Sequence, residues 1–222
     1  MKPRKVKKLD PTESLAHNAA RIVRTRTEEL RSFAPEALAV DATDAQHDMR
    51  IAAKRLRYVL EVTGFCFGAP AERALRSARK LQDLLGEIHD CDVMLPRLRE
   101  ETERLRADDV RDVLLRAGEA KDLDPGLIVA APNRDAYRGI ELLAVDLSAR
   151  RALLFERFRD YWQAEASRGT WAALERAARK ALEGPSDADE DGVPQKPAQR
   201  LKAALRETAA ARSARPGSFS GR

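Results

Sequence analysis

The stretch that begins at His47, H-D-M-R-I-A-A-K-R-L-R-Y-V-L-E, divides into two faces when wound as a helix. At about 100° per residue, His47, Arg50, Lys54, Arg57 and Glu61 share one arc of about 80°. Met49, Ala52, Ala53, Leu56, Val59 and Leu60 share a separate arc of about 120°. One face belongs against a core. The other carries cations that recur turn by turn, at a rise of about 5.4 Å. A regular row of cations suits a regular row of anions. No comparable pattern of carboxylates, thiols or metal ligands occurs in the chain.

The rest of the chain favours helices too. Charged residues make up 35% of the 222 and aromatics 5%, and Leu, Ala, Arg and Glu dominate. The formal charge of +5 is modest, so clustering says more than the total. Cys66 and Cys91 are the only cysteines. No metal-type spacing joins them, which fits a reduced, cytoplasmic protein. No apolar run approaches 18 residues, so no membrane span or membrane partner is expected. The basic start M-K-P-R-K-V-K-K lacks the apolar region of a secretory signal. Residues 1–11 therefore read as a disordered basic arm that attracts polyanions.

Helix signals follow one another along the chain. Asp10-Pro11-Thr12-Glu13 predicts a helix start, with Asp10 as N-cap, and a helix to about Phe33. Thr43 and Gln46 form a capping-box pattern for a second helix that ends near Gly64 or Gly68. Pro70 opens a third that reaches at least Leu95, with a kink expected at Pro96. A short helix fits Asp108 to Ala120, and Asp124-Pro125-Gly126 marks a break before a loop to Pro132. Long and short helices are then expected over Asn133–Ala166 and Thr170–Leu182. Residues 184–222 lose the apolar pattern and read as a mostly disordered tail with one helix at Ala198–Ala211. The expectation is all-α: an antiparallel bundle of about six helices over residues 12–183, with a basic groove or pore.

Three helices carry cation stripes. His17, Arg21, Arg24 and Glu28 share an arc of about 60° on the first. The His47 row is the second. On the third, Arg73, Arg76, Arg79 and Lys80 precede Asp83, Glu87 and Asp90. An ion-paired solvent face accounts for the first and third stripes alone. It accounts less well for the second, where only Glu61 is acidic on the arc. Tyr58 reads as a packing residue. Arg55, about 80° from His47, reads as a solvent or interface residue. Trp162 and Trp171 read as core anchors.

Further along the third helix, L-Q-D-L-L-G-E-I-H-D-C-D-V places Gly86 within a helix, at about 1 kcal/mol relative to Ala. Close approach of another backbone, or room for a ligand, would explain it. His89 falls beside Leu85 and Ala78 and reads as a core histidine. The His89-Asp90 pair also allows the ligand set of an HD-type metal-dependent phosphohydrolase, with His47 and Asp146 or Asp160. Against this, His89 points to the apolar side and the cations beside His47 would repel a divalent metal. Neither a P-loop nor a Gly-x-Ser-x-Gly elbow is present. No catalytic residue, metal or cofactor is expected.

The segments H-D-M-R-I-A-A-K-R-L-R-Y-V-L-E and L-Q-D-L-L-G-E-I-H-D-C-D-V together resemble the CHAD family, the conserved-histidine α-helical domains. The pairing of His-x-x-Arg-x-x-x-Lys-Arg-x-Arg with Leu-Gly-x-x-x-Asp-x-x-Val carries the resemblance. Tyr161-Trp162 and Trp171 are similar to the family's closing region, which extends the resemblance over roughly residues 12–183. It implies a helical bundle that binds inorganic polyphosphate in a basic groove or pore, at polyphosphate granules. Phosphate contacts are then implied for His47, Arg50, Lys54 and Arg57, with support from Arg21, Arg24, Arg76, Arg79 and Lys80. Family members commonly have two similar helical halves, whereas one clear copy is present here. Either the second half is reduced or two chains combine, so a homodimer stays open. Few aromatics lie on the basic faces, which argues against single-stranded nucleic acid. A nucleic-acid-binding or structural helical protein and the metal hydrolase stand as the alternatives to non-catalytic polyphosphate binding.

Overall fold

A computed structural model describes residues 2–183. Six α-helices and one short 3-10 turn make up the regular structure: α1 (Leu15–Ala37), α2 (Thr43–Thr63), the turn Gly64–Cys66, α3 (Ala69–Ala117), α4 (Pro125–Val129), α5 (Arg134–Ser167) and α6 (Thr170–Glu183). The described residues contain no strand. The all-α expectation therefore holds, with six helices as expected. The readings of a disordered tail and of a helix at Ala198–Ala211 lie outside the described residues.

The helices pack by their small and branched faces. Alanines at 19, 20, 37, 52, 53, 74 and 78 are at most 1% exposed, so backbones can approach closely. Leu30, Met49, Leu56, Leu81, Leu85, Ile88, Phe158 and Leu174 fill the space between them. α2 lies between α1 and α3, α5 lies along α3, and α6 closes against α1 and α3. Trp162 of α5 and Trp171 of α6 are both buried. Their rings stack with centroids 5.9 Å apart, as core anchors should. The contacts Glu87–Arg150, Asp92–Arg151 and Arg106–Glu141 set α5 antiparallel to α3.

Several local expectations are corrected. α1 starts at Leu15, and its cap is Ser14, whose side chain accepts from the His17 N–H. Asp10 instead accepts from the Thr12 N–H and hydroxyl, at 2.8 and 2.6 Å, an Asx turn that competes with helix capping. α1 also runs on through Pro35 to Ala37. At α2 no side chain caps the start. Gln46 is drawn away to donate to the Ala39 and Val40 carbonyls, at 2.8 and 3.3 Å. Its Oε1 accepts from Arg151 at 3.0 Å.

The third helix is longer than the sequence signals indicated. α3 spans 49 residues and absorbs the separate helix expected over Asp108–Ala120. Pro96 is exposed, so its missing donor falls where water can serve the freed carbonyl. Gly68 and Gly118 flank α3 with φ of 57°, a conformation that glycine adopts without a Cβ penalty. The expected loop after Asp124 contains α4, with the Asp124 carboxylate accepting from the Gly126 N–H at 2.8 Å. Residues 2–10 contain no helix or strand, and they lie against α1. The Arg4 N–H donates to Glu29 at 3.1 Å, and Arg21 reaches the Lys8 carbonyl.

Candidate functional site

Two cross-helix contacts fix how the cation row of α2 faces α3. His47 meets His89, with Nδ1 atoms 3.3 Å apart and ring centroids at 4.5 Å. Fourteen residues later on α2, Glu61 accepts from Arg79 at 2.9 Å. α2 and α3 are thus antiparallel, and the whole row from His47 to Glu61 runs along their seam. On α3, helical spacing puts Arg79, Gln82, Gly86 and His89 on one edge. That edge is the one that carries the two contacts.

The charges along the seam are only partly compensated. Arg57 pairs with Glu61 at 3.4 Å, and Glu61 is shared with Arg79. Arg50 and Lys54 have no carboxylate partner among the described residues. The Nε atoms of Arg50 and Arg57 and the Oε1 of Gln82 are buried and make no hydrogen bond. Buried polar groups are ordinarily paired, and three of the five unpaired ones among the described residues lie on this seam. Tyr58 is 48% exposed, which corrects its reading as a packing residue. The Arg57 guanidinium lies over its ring at 4.5 Å and the Lys54 ammonium at 5.9 Å. The aromatic face helps hold two cations at the rim.

His89 is half-buried and is not a core residue. It belongs to the seam. Helical spacing placed it at the apolar edge, which is also the edge facing α2, and sequence alone does not separate the two. Burial lowers its pKa below the ordinary histidine value, and the positive charges of Arg50 and His47 act in the same direction. Asp90 and Asp92 oppose them. Gly86 has nothing within 4 Å of where a Cβ would stand. Of the two explanations for it, open space is observed and close backbone approach is not. Gln82 and His89 are the seam residues that the motif reading missed. The three- and four-residue spacing of Arg79, Gln82, Gly86 and His89 was the available signal.

The other sequence-derived cations fall elsewhere. Arg21 is tied to Glu13 and the Lys8 carbonyl, with its Nη2 3.1 Å from His17 Nε2. Arg24 lies 4.0 Å from Glu28. Arg21 and Arg24 line, with Arg4, Lys5 and Lys7, an open pocket of about 340 Å³ along α1. Arg76 and Lys80 are exposed, and helical spacing turns them about 60° and 100° from Arg79, away from the α2 edge. Arg55 is not a solvent residue. It donates to the buried Glu29 carboxylate at 3.0 Å, beside Arg26 at 2.5 Å.

No group of three or more His, Cys, Asp or Glu side chains able to hold a metal occurs among the described residues. His47 and His89 do meet, but among the described residues no carboxylate completes a metal-holding group with them. Cys66 and Cys91 are unpaired, and burial raises both thiol pKa values. No helix among the described residues is long and apolar enough to cross a membrane.

The described residues form an all-helical protein in which a row of cations follows the contact between two antiparallel helices. Residues 3–99 match the model of the CHAD domain. The matched region takes in the N-terminal segment, α1, α2 and α3 as far as Arg99. It contains both motifs on which the resemblance was read, whereas residues 100–183 of the expected span lie beyond it. No curated protein and no solved structure matches the chain.

Proposed function

We propose that this protein binds inorganic polyphosphate along the α2–α3 seam and does not hydrolyse it, and that it does so in the cytoplasm, at polyphosphate granules. The observation that carries this reading is Arg50. It stands in a row of cations spaced by one helical turn, has no carboxylate partner among the described residues, and holds a buried Nε without an acceptor. Phosphate oxygens supply such an acceptor. Arg presents them a planar fork and Lys a mobile point charge. His47, Lys54, Arg57 and Arg79 extend the same row, and His89 and Gln82 add polar groups on the facing helix. Arg21 and Arg24 offer a second basic strip on α1. Arg76 and Lys80 contribute long-range attraction from the exposed face of α3.

A chain polyanion held by several such cations releases counterions, so affinity falls steeply with salt, as for nucleic acids. The absence of stacking platforms beyond Tyr58 on these faces favours polyphosphate over single-stranded nucleic acid. The test is a titration of long-chain polyphosphate, DNA and RNA against the full chain at two salt concentrations. Tighter binding of polyphosphate than of either nucleic acid at both salts is expected. Equal affinities would reduce the seam to a general polyanion surface.

The His47–His89 contact favours one competing reading, the HD-type metal-dependent hydrolase. Incubation of polyphosphate with the protein and Mg²⁺ or Mn²⁺ separates the two. Binding without orthophosphate release is expected. Release that His89→Ala abolishes would establish the hydrolase instead.

A further inference from the structure

The face of α5 that points away from α3 is apolar in its middle and oppositely charged at its two ends. Against α3 the helix sets Leu147, Leu154, Phe155 and Phe158. On the other side, Leu142, Val145, Ala149 and Ala152 repeat with the 3-4-3 spacing of a coiled-coil seam, and Leu153 lies beside them. The described residues leave all of these open: Leu142 is 66% exposed, Val145 68% and Leu153 54%, and Ala149 and Ala152 are exposed as well. Three large aliphatic side chains in a row on one helix are more than scattered surface hydrophobics.

The ends of the same stripe say what covers it. Arg134 and Arg138 stand at its N-terminal end, Glu156 and Asp160 at its C-terminal end, all within the same arc of about 100°. Within the chain, Asp135 offsets Arg134 at 3.9 Å, and Arg159 is shared between Glu156 and Asp160. One positive charge is left over at the first end and one negative charge at the second. Glu141, near the stripe, is already held by Arg106.

We infer that this stripe is a self-complementary interface, and that its occupant is α5 of a second copy of this chain, packed antiparallel about a two-fold axis near Leu147. In that register Leu142 faces Ala152 of the other copy and Val145 faces Ala149, so large residues meet small ones. Arg138 faces Glu156, and Arg134 faces Asp160. Because the contact is isologous, each of these pairs occurs twice. A parallel arrangement would instead set like charges side by side at both ends. The small residues at 149 and 152 allow the close approach that such a pair of helices needs. The inference does not depend on what the α2–α3 seam binds.

The test uses the full chain in sedimentation equilibrium, with circular dichroism to confirm unchanged helicity. Wild type is expected to dimerise at micromolar concentration. Leu142→Glu with Val145→Glu should raise the dimer dissociation constant about tenfold or more. Arg138→Glu alone and Glu156→Arg alone should each weaken the dimer, since each creates two like-charge contacts. The two reversals combined should restore it. A chain that stays monomeric at high micromolar concentration overturns the inference, including the case in which residues 184–222 of the same chain cover the stripe. A dimer indifferent to the double glutamate variant, or charge reversals whose losses add without rescue, overturns it too.

Discussion

Replacing Arg55 with alanine should cost stability and leave polyphosphate affinity nearly intact. Its guanidinium points from α2 towards α1 and ends on Glu29, whose side chain is only 1% exposed. That carboxylate accepts from Arg55 at 3.0 Å, Arg26 at 2.5 Å and the Arg4 N–H at 3.1 Å. Removing one partner of an isolated buried ion pair costs about 3–5 kcal/mol, because the other charge is left alone. Here Arg26 and the Arg4 amide remain, so the loss should be nearer that of one hydrogen bond to a charged group, about 1.5–3 kcal/mol. For a domain of this size each kcal/mol moves the melting point by roughly 2–4 °C. Arg55→Ala should therefore melt about 3–12 °C lower, and Arg26→Ala with Arg55→Ala should approach the full cost of an orphaned charge. Differential scanning calorimetry measures both, with a polyphosphate titration alongside. An Arg55→Ala protein that melts with wild type, or one that keeps its melting point but loses binding, would refute the assignment of Arg55 to the α1–α2 contact.

Acidification should tighten polyphosphate binding. Burial and the neighbouring charges of Arg50 and His47 hold His89 below the ordinary histidine pKa in the free protein. A bound anion reverses that bias and favours the imidazolium. Binding then takes up a proton, and titrations at pH 8 and pH 6 should show the higher affinity at pH 6, with the difference reduced in His89→Gln. The free protein should behave the opposite way. A histidine with a depressed folded pKa binds fewer protons than in the unfolded chain, so its contribution is present above pH about 6.5 and is lost as the pH falls below it. Gly86→Ala should stabilise by about 0.5–1 kcal/mol in urea unfolding, since Ala is the better helix former and its Cβ meets nothing within 4 Å. Gly86→Glu should fold but bind polyphosphate more weakly, because it fills the open seam with a negative group.

Periodicity carried much of the fold. α5 and α6 lie within a residue or so of where the apolar pattern put them, because their faces repeat without competing signals. Errors came where a side chain had two local uses. Asp10 could cap or form a turn with Thr12, and the turn won. Gln46 could close a capping box, but the Ala39 carbonyl and Arg151 compete for it. Pro96 was read as a kink, with a separate helix expected over Asp108–Ala120, but one 49-residue helix runs through both. The seam was half legible. Its α2 row followed from helical spacing, while His89 and Gln82 required knowledge of which helix packs alongside and in which direction. Arg55 was left between solvent and interface for the same reason: its partner Glu29 lies 26 positions away, on a helix whose orientation the sequence did not disclose.

The most direct measurement of the central proposal is the salt dependence of polyphosphate affinity in two double variants. Arg50→Ala with Lys54→Ala removes two cations that lack carboxylate partners on the seam. Arg76→Ala with Lys80→Ala removes the same charge from an exposed face turned away from it. If the ligand lies in the seam, the first pair should bind far more weakly, and the slope of log K against log salt should become shallower by about 1.4–1.8, as two lost phosphate contacts require. The second pair should change the slope little. Equal losses of affinity and slope in both variants would contradict the account, since they would mean that net charge, and not the α2–α3 seam, holds the polyanion.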